Sequence, residues 1–117
     1  MHVLVTRGGE LAAPLGPLCD DPDCDCAHEL AALDSAYPAD VVTVADRDDV
    51  TTEDLIAACA GLLHRTGWAD SLGPTDTAEL AADMATEVVD AASKYPAGTL
   101  LHPWFDRDEE RWTYIAA

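Results

Sequence analysis

Two amphipathic stretches, near residues 51–67 and 76–95, place the strongest constraint on how this chain folds. In the first, five apolar residues recur at helical spacing on one face: Leu55, Ile56, Cys59, Leu62 and Leu63. In the second, the apolar stripe consists of Leu80, Met84, Val88, Ala91 and Tyr95. A helix with one apolar stripe must bury that stripe against another layer of structure. The sequence therefore predicts two helices that cover a sheet.

Residues that flank these stretches predict where the helices begin and end. Thr51 can cap the first helix, and Gly67 is placed for a left-handed turn after it, with Trp68 packing back. Residues 71–75 are predicted to form a loop, and residues 76–79 resemble a capping box that opens the second helix. Pro96 ends that helix.

Four β-branched or aromatic runs predict strands: residues 2–6, 41–44, 99–105 and 111–115. The last two flank a charged turn and form a hairpin, in which Pro103 favours an edge position because proline donates no backbone hydrogen bond. A short helix is predicted over residues 27–33. At 117 residues we expect a single domain over 1–117. Its predicted class is α+β, with a small mixed or antiparallel sheet covered by two amphipathic helices and a cysteine-rich loop.

The formal net charge of −17 excludes several kinds of partner. Binding to nucleic acid through phosphates needs a basic surface, and so does binding to an anionic membrane. A strongly acidic surface favours solubility first of all. The sharper hypothesis is an acidic face that docks on a basic protein partner or mimics nucleic acid. No apolar run approaches the roughly 18 residues that span a bilayer, and no secretory leader is visible, so we expect a cytoplasmic protein.

Residues 19–28 carry a cluster of metal-ligand side chains. Cys19, Cys24, Cys26 and His28 follow the spacing C-x4-C-x-C-x-H, which supplies the four ligands of a tetrahedral zinc site. This spacing differs from the common pair of C-x-x-C knuckles. His102, which lies on a predicted strand, is the rival fourth ligand.

The acidic residues around these thiols favour a metal over a reactive cysteine. Asp20, Asp23 and Asp25 oppose thiolate formation unless a cation is present, whereas a nucleophilic cysteine needs an electropositive setting. Zinc binding would also help to order a segment of low apolar content. Free or redox-sensing thiols remain the first alternative, and another metal or an iron–sulfur cluster the second. Cys59 lies on a helical apolar stripe and is predicted to be a core residue.

Catalytic signatures are missing from the sequence. It contains no G-x-G-x-x-G, P-loop, G-x-S-x-G or H-E-x-x-H motif. A zinc ion held by three cysteines could leave a position for water, but no general base is evident beside it. We therefore expect an accessory or interaction protein with a structural zinc ion. A zinc- or redox-responsive regulatory factor, for example one associated with translation, is the alternative, and a zinc-dependent enzyme is the third hypothesis. Trp104 and Trp112 on the hairpin are candidate interface residues if they are exposed, and core residues otherwise.

Several short motifs occur in one order along the chain: G-E-L at 9–11, L-C-D at 18–20, C-D-C at 24–26, A-A-L-D-S at 31–35, V-A-D-R-D at 44–48, R-T-G-W at 65–68 and Y-P-A-G-T-L-L at 95–101. Together they resemble a family of small uncharacterised actinobacterial proteins with a G-C-G-C-type cysteine cluster. The resemblance covers most of the chain and implies that Cys19, Cys24 and Cys26 act as a group, but it implies no activity. Here C-D-C replaces C-G-C, and the segment after the first strand is shorter. Basic residues near position 28 in that family imply a three-cysteine site whose fourth ligand comes from elsewhere or from solvent.

Overall fold

A computed structural model describes residues 1–13, 29, 32–34, 36–38, 40–109 and 111–117, and it confirms the predicted α+β class. The elements in this part of the chain are β1 (His2–Val5), β2 (Val42–Asp46), α1 (Thr52–Arg65), α2 (Trp68–Leu72), α3 (Pro74–Ser93), β3 (Leu100–Asp106) and β4 (Arg111–Ala116). Residues 29, 32 and 33 are also helical, within the predicted short helix. None of the helices in the described part of the chain combines the length and apolarity that a membrane span requires.

The four strands form one antiparallel sheet in the order β1-β2-β3-β4. The register places Leu4 opposite Val44, Val42 opposite Leu101, and Pro103 opposite Tyr114. Because directly opposed residues share a face, these side chains line one side of the sheet. Leu4, Val42, Val44 and Leu101 are buried there.

The helices complete the hydrophobic core. α1 packs along α3, and α3 also contacts β1 and β4. Both predicted apolar stripes are confirmed: Leu55, Cys59, Leu62 and Leu63 of α1 are buried, as are Met84, Val88 and Ala91 of α3. The remaining stripe residues, Ile56, Leu80 and Tyr95, are partly buried and pack against the core.

Strand β1 is covered on both of its faces. Val3 and Leu4 are adjacent, so their side chains point to opposite sides of the sheet, and both are 0% exposed. A first strand rich in β-branched residues suits this position, because both of its faces contact apolar groups.

The predicted ends of α1 are confirmed. The Thr51 hydroxyl accepts a hydrogen bond from the Asp54 backbone N–H at 3.2 Å, and the Asp54 carboxylate accepts one from the Thr51 N–H at 2.9 Å. This reciprocal pair is a capping box. At the other end, Gly67 adopts a φ of +85°, a conformation that favours glycine. Trp68 packs against the core, as predicted.

The predicted loop over residues 71–75 and the capping box over 76–79 are wrong. Ser71 and Leu72 belong to α2, and α3 begins earlier, at Pro74. Proline is well suited to a first helical position, because its fixed φ is helical and its missing N–H has no partner there. The Thr77 hydroxyl donates a 2.6 Å hydrogen bond to the Gly73 carbonyl, so Thr77 lies inside the first turns of the helix.

The prediction that Pro103 places β3 at the edge of the sheet is wrong. The C-terminal part of β3, however, pairs with only one neighbouring strand among the described residues. β3 lies between β2 and β4, yet the register with β2 covers only Leu100 and Leu101. Beyond these residues, β4 is the only strand paired with β3 among the described residues. Pro103 therefore lies where no bond to β2 is needed.

Replacing Thr51 with alanine removes the hydroxyl that caps α1. We expect T51A to lower the free energy of unfolding by about 1 kcal/mol, since the Asp54 N–H loses its acceptor. Urea unfolding followed by circular dichroism measures the change. Thr52 is equally exposed but provides no cap, so T52A is the matched control and should change stability by much less. Equal losses in the two variants would contradict the capping role.

Candidate functional site

The four predicted zinc ligands, Cys19, Cys24, Cys26 and His28, lie outside the described residues. They belong to residues 14–35, here called the cysteine segment; the structure describes the flanking residues Ala13 and Ala36 and, within the segment, residues 29 and 32–34. Among the described residues, no group of three or more histidine, cysteine, aspartate or glutamate side chains could hold a metal ion. The described residues at the two ends of this segment, Ala13, Asp34 and Ala36, are here called its base.

A hydrogen bond joins the residues that flank the two ends of the cysteine segment. The Ala13 N–H donates to the Ala36 carbonyl at 3.4 Å, so the chain leaves and re-enters the fold at neighbouring points. The Tyr114 hydroxyl donates a 2.7 Å hydrogen bond to the Ala13 carbonyl and fixes this base to β4. Burial, with smaller effects from Tyr37 and Cys59, raises the pKa of Tyr114 well above its ordinary value. The hydroxyl consequently remains a hydrogen-bond donor at neutral pH.

An ion pair holds the second end of the segment to α1. The Asp34 carboxylate accepts a hydrogen bond from the Arg65 guanidinium and another, at 3.0 Å, from the Ala36 N–H. Burial alone would raise the pKa of Asp34, but these two hydrogen bonds and the positive charge of Arg65 together lower it below its ordinary value. The Asp34 side chain is 9% exposed, whereas that of Arg65 is 57% exposed. The carboxylate thus remains ionised while it bridges the segment to the helix.

A cavity of about 330 Å³ lies beside this base. Its wall includes Leu11, Ala13, Leu55, Cys59 and Arg65. Its volume is near the lower limit for small-molecule sites, which is about 300 Å³. The wall is mainly apolar; its charged side chains are Glu10 and Arg65, and Arg65 is already paired with Asp34.

Cys59 behaves as a core residue, as the sequence predicted. Its side chain is a free thiol and is 3% exposed. Burial raises the pKa of the Cys59 thiol to about 11, so the thiol is neutral at physiological pH. A neutral, buried thiol is neither a good nucleophile nor a ready metal ligand.

The rival ligand His102 faces away from the base of the cysteine segment. Pro103 is opposite Tyr114, so these two residues share a face of the sheet, and the neighbouring His102 lies on the other face. The His102 Nδ1 atom is 3.0 Å from the Pro103 carbonyl oxygen. Of the other histidines, His64 is exposed at the end of α1 and His2 is partly buried in β1.

Most cations of the described surface are already paired with carboxylates. Arg7 contacts Asp40 at 3.2 Å, Arg47 contacts Asp49 at 2.9 Å, and Lys94 contacts Asp90 at 3.4 Å. Arg65 is paired with Asp34, as described above. Six lysine and arginine residues face 23 acidic residues in the whole sequence, so the negative charge that remains on the surface is large.

The outer side of α3 carries a line of acids that we call the acidic ridge: Asp76, Glu79, Asp83, Glu87 and Asp90. These residues recur every three or four positions, which places them along one side of a helix. All are exposed except Glu87, which is partly buried. This ridge is not among the features predicted from the sequence, although the spacing of its acids is visible there.

Large apolar side chains are exposed on the hairpin. Trp104 is 50% exposed and Leu100 is 52% exposed. Because Trp104 is exposed, it is a candidate interface residue. The side chain of Trp112 lies outside what the structure describes.

Comparison with known proteins identifies a family for this chain. The model of a family described as a domain of unknown function (DUF7715) matches residues 4–113. No curated protein and no solved structure matches the chain. The matched range includes the cysteine segment, helices α1, α2 and α3, and most of the sheet.

Replacing Asp34 with asparagine should destabilise the fold in a pH-dependent way. The folded protein has a lowered pKa at Asp34, so the stabilisation by the carboxylate is present above the unfolded pKa, near 3.8, and is lost as the pH falls through the folded value. We expect D34N to lower the free energy of unfolding at neutral pH, because Arg65 loses its charged partner. The loss should be only about 1 kcal/mol, since solvent screens the partly exposed Arg65. Urea unfolding at a series of pH values measures this difference.

Asp40 provides the control for this titration. Its pair with Arg7 lies on the surface, so D40N should alter the stability little at any pH. A loss in D34N that stays constant down to pH values well below the unfolded pKa would show that the carboxylate charge is not what stabilises the base.

Proposed function

The chain belongs to the DUF7715 family, whose function is unknown, and we propose that it is an acidic cytoplasmic accessory protein that docks on a basic protein partner. A structural zinc ion, held by the cysteine segment, stabilises it in this role. The charge balance of the described surface is the observation that carries the proposal. Its cations are largely neutralised by ion pairs, while the acidic ridge is exposed to any approaching partner.

The acidic ridge has the dimensions of a protein-docking surface. α3 has 20 residues, so the ridge runs along a helix about 30 Å long. Its negative charge attracts a basic partner over a distance and speeds encounter with it. The same field repels the phosphates of nucleic acids and of anionic membranes. A basic protein surface is the partner that this charge distribution favours.

The zinc proposal rests on the donors of the cysteine segment and on its closed base. Three thiols and one imidazole within residues 19–28 match the ligand preference of zinc, and nearby carboxylates favour a cation. Since Ala13 and Ala36 are already joined, an ion that links ligands between them acts within a closed loop. The buried Cys59 is unsuitable as a ligand, and His102 lies on the far face of the sheet. Within residues 19–28 the sequence offers one imidazole, that of His28, which is the fourth ligand of the proposed site.

The cytoplasm suits this chemistry, because it keeps thiols reduced and available to a metal. We extend the proposal to the family: its members are small actinobacterial proteins in which the cysteine cluster supplies the zinc ligands. Zinc there has a structural role, since thiolate-rich sites with four protein ligands leave no position for a reacting water.

Removing two thiols should abolish zinc binding. We expect protein purified without chelators to carry about one zinc ion per chain, and the double variant C24S/C26S to carry none, because two of four ligands are lost. Elemental analysis measures the metal. EDTA should lower the melting temperature of the unsubstituted protein but not that of the double variant.

Matched single variants test the identity of the ligands. C59A should keep its zinc, because that thiol lies in the core, although it loses some stability. H28A should bind zinc more weakly, whereas H102A should bind it as the unsubstituted protein does. If the purified protein contains no metal and its melting ignores EDTA, the zinc proposal is wrong.

Neutralising the acidic ridge should weaken binding to a basic partner. With a peptide of ten lysines as the probe, we expect affinity to fall steeply as salt is added. The variant D76N/E79Q/D83N should bind severalfold more weakly and with a smaller dependence on salt. The variant D76E/E79D/D83E keeps the charge and should bind normally. Isothermal calorimetry across a salt series measures both properties, and an affinity that salt does not change would refute docking by charge.

A further inference from the structure

The two edges of the sheet differ in how they are covered. Beside β1, Leu11 pairs with Val5 in an antiparallel bridge, and the Ala12 N–H donates a 2.9 Å hydrogen bond to the Leu4 carbonyl. The chain thus covers its own first edge. At the other edge, no described residue pairs with the outer side of β4.

The hydrogen-bond pattern shows which backbone groups of β4 face outward. The Ala117 N–H donates to the Leu100 carbonyl at 2.9 Å, so that pair is hydrogen-bonded across the hairpin. In an antiparallel ladder, hydrogen-bonded and non-bonded pairs alternate. It follows that residues 113 and 115 bond to β3, while the N–H and carbonyl groups of residues 112, 114 and 116 point away from it. The position of Pro103 is consistent with this alternation. Pro103 and Tyr114 form a non-bonded pair, so no N–H of residue 103 is needed toward β4.

One face of the same hairpin, here called the open face, consists of side chains that are exposed or partly exposed: Leu100, His102, Trp104, Thr113 and Ile115. Trp104 lies opposite Thr113, and His102 lies opposite Ile115. No member of the open face is buried, whereas Leu101 and Tyr114 on the reverse face are 0% and 4% exposed. A half-exposed tryptophan on a sheet face beside an uncovered edge is typical of a protein-interaction surface.

We propose that an extended, arginine- or lysine-rich segment of the partner adds to β4 as a fifth strand and lays alternate side chains across the open face. This inference rests on the proposed function and gives the same basic partner a contact separate from the acidic ridge, since α3 packs on the opposite face of the sheet. Main-chain hydrogen bonds to residues 112, 114 and 116 supply affinity, as in other cases of strand addition. The net charge of −17 selects a basic segment over an acidic one.

The open face suits basic side chains in particular. An arginine guanidinium or lysine ammonium over the Trp104 indole gains a cation–π interaction. The aliphatic stems of the same side chains can cover Leu100 and Ile115 while their charged ends remain in water. The other candidate occupant, a second copy of this chain, brings a further 17 negative charges to the same edge and is repelled.

The test uses the full-length protein and a capped nine-residue peptide of alternating arginine and valine. We expect the peptide to bind with an affinity that falls as salt is added. A second peptide of identical sequence carries N-methyl groups on alternate backbone amides, so it keeps every charge but cannot form a ladder. It should bind about tenfold more weakly, and equal affinity of the two peptides would overturn strand addition.

Variants of the edge and of the open face locate the site. A116P removes an outward N–H from an exposed residue without breaking a bond to β3, and it should weaken binding about tenfold. A116S keeps the N–H and should bind normally. W104A should lose about tenfold in affinity, whereas L33A, at an apolar residue that is 68% exposed elsewhere, should lose none. If A116P does not fold, the affinities of W104A and of the methylated peptide still test strand addition.

The outcomes separate this inference from the proposed function. If the peptide binds in a salt-dependent way but W104A and the methylated peptide behave normally, charge docking stands and strand addition is wrong. If neither the arginine–valine peptide nor the ten-lysine peptide binds at low salt, the proposed function itself fails. A dimer in sedimentation experiments that A116P dissociates would assign the edge to a second copy and overturn the inference.

Discussion

The buried hydrogen bond from the Tyr114 hydroxyl to the Ala13 carbonyl joins residues that are 101 positions apart, and much of the structure depends on it. It connects the last strand to the first end of the cysteine segment, beside the cavity that Cys59 lines. A buried acceptor left without its donor costs about 1–3 kcal/mol, so this bond strongly favours one relative position of hairpin and segment. Asp34 and Arg65 hold the other end in the same way. The cysteine segment is therefore held to the core at both ends, with or without a bound metal ion.

Most of the fold could be predicted from periodicity and caps, and the errors have local physical causes. The stripes of α1 and α3, the Thr51 cap and the Gly67 turn depend on short-range patterns that are visible in the sequence. Residues 71–75 have the polar composition of a loop, yet Gly73 and Pro74 allow one helix to end and the next to begin within two residues. Composition favoured a loop because neither residue marks a helix by propensity.

The candidate site was less predictable, because its contacts join distant parts of the chain. Asp34 and Arg65 are 31 positions apart, and no local pattern relates them. The core position of Cys59 could be predicted because it lies within a helical stripe. The zinc site stays a prediction: its donors are evident in the sequence, but residues 19–28 lie outside the described residues. The open face became evident only from the register, which places Trp104 and Leu100 on the same side of the sheet.

The large negative charge bears on the edge of β4 that no described strand pairs with. An uncovered strand edge is normally a liability, since it can pair with the same edge of another copy and start aggregation. Natural proteins counter this with charge, and a chain of net charge −17 repels its own copies at every approach. The same repulsion becomes attraction when the incoming strand is basic. In the proposed strand addition, the same net charge that opposes self-association also favours a basic segment at this edge.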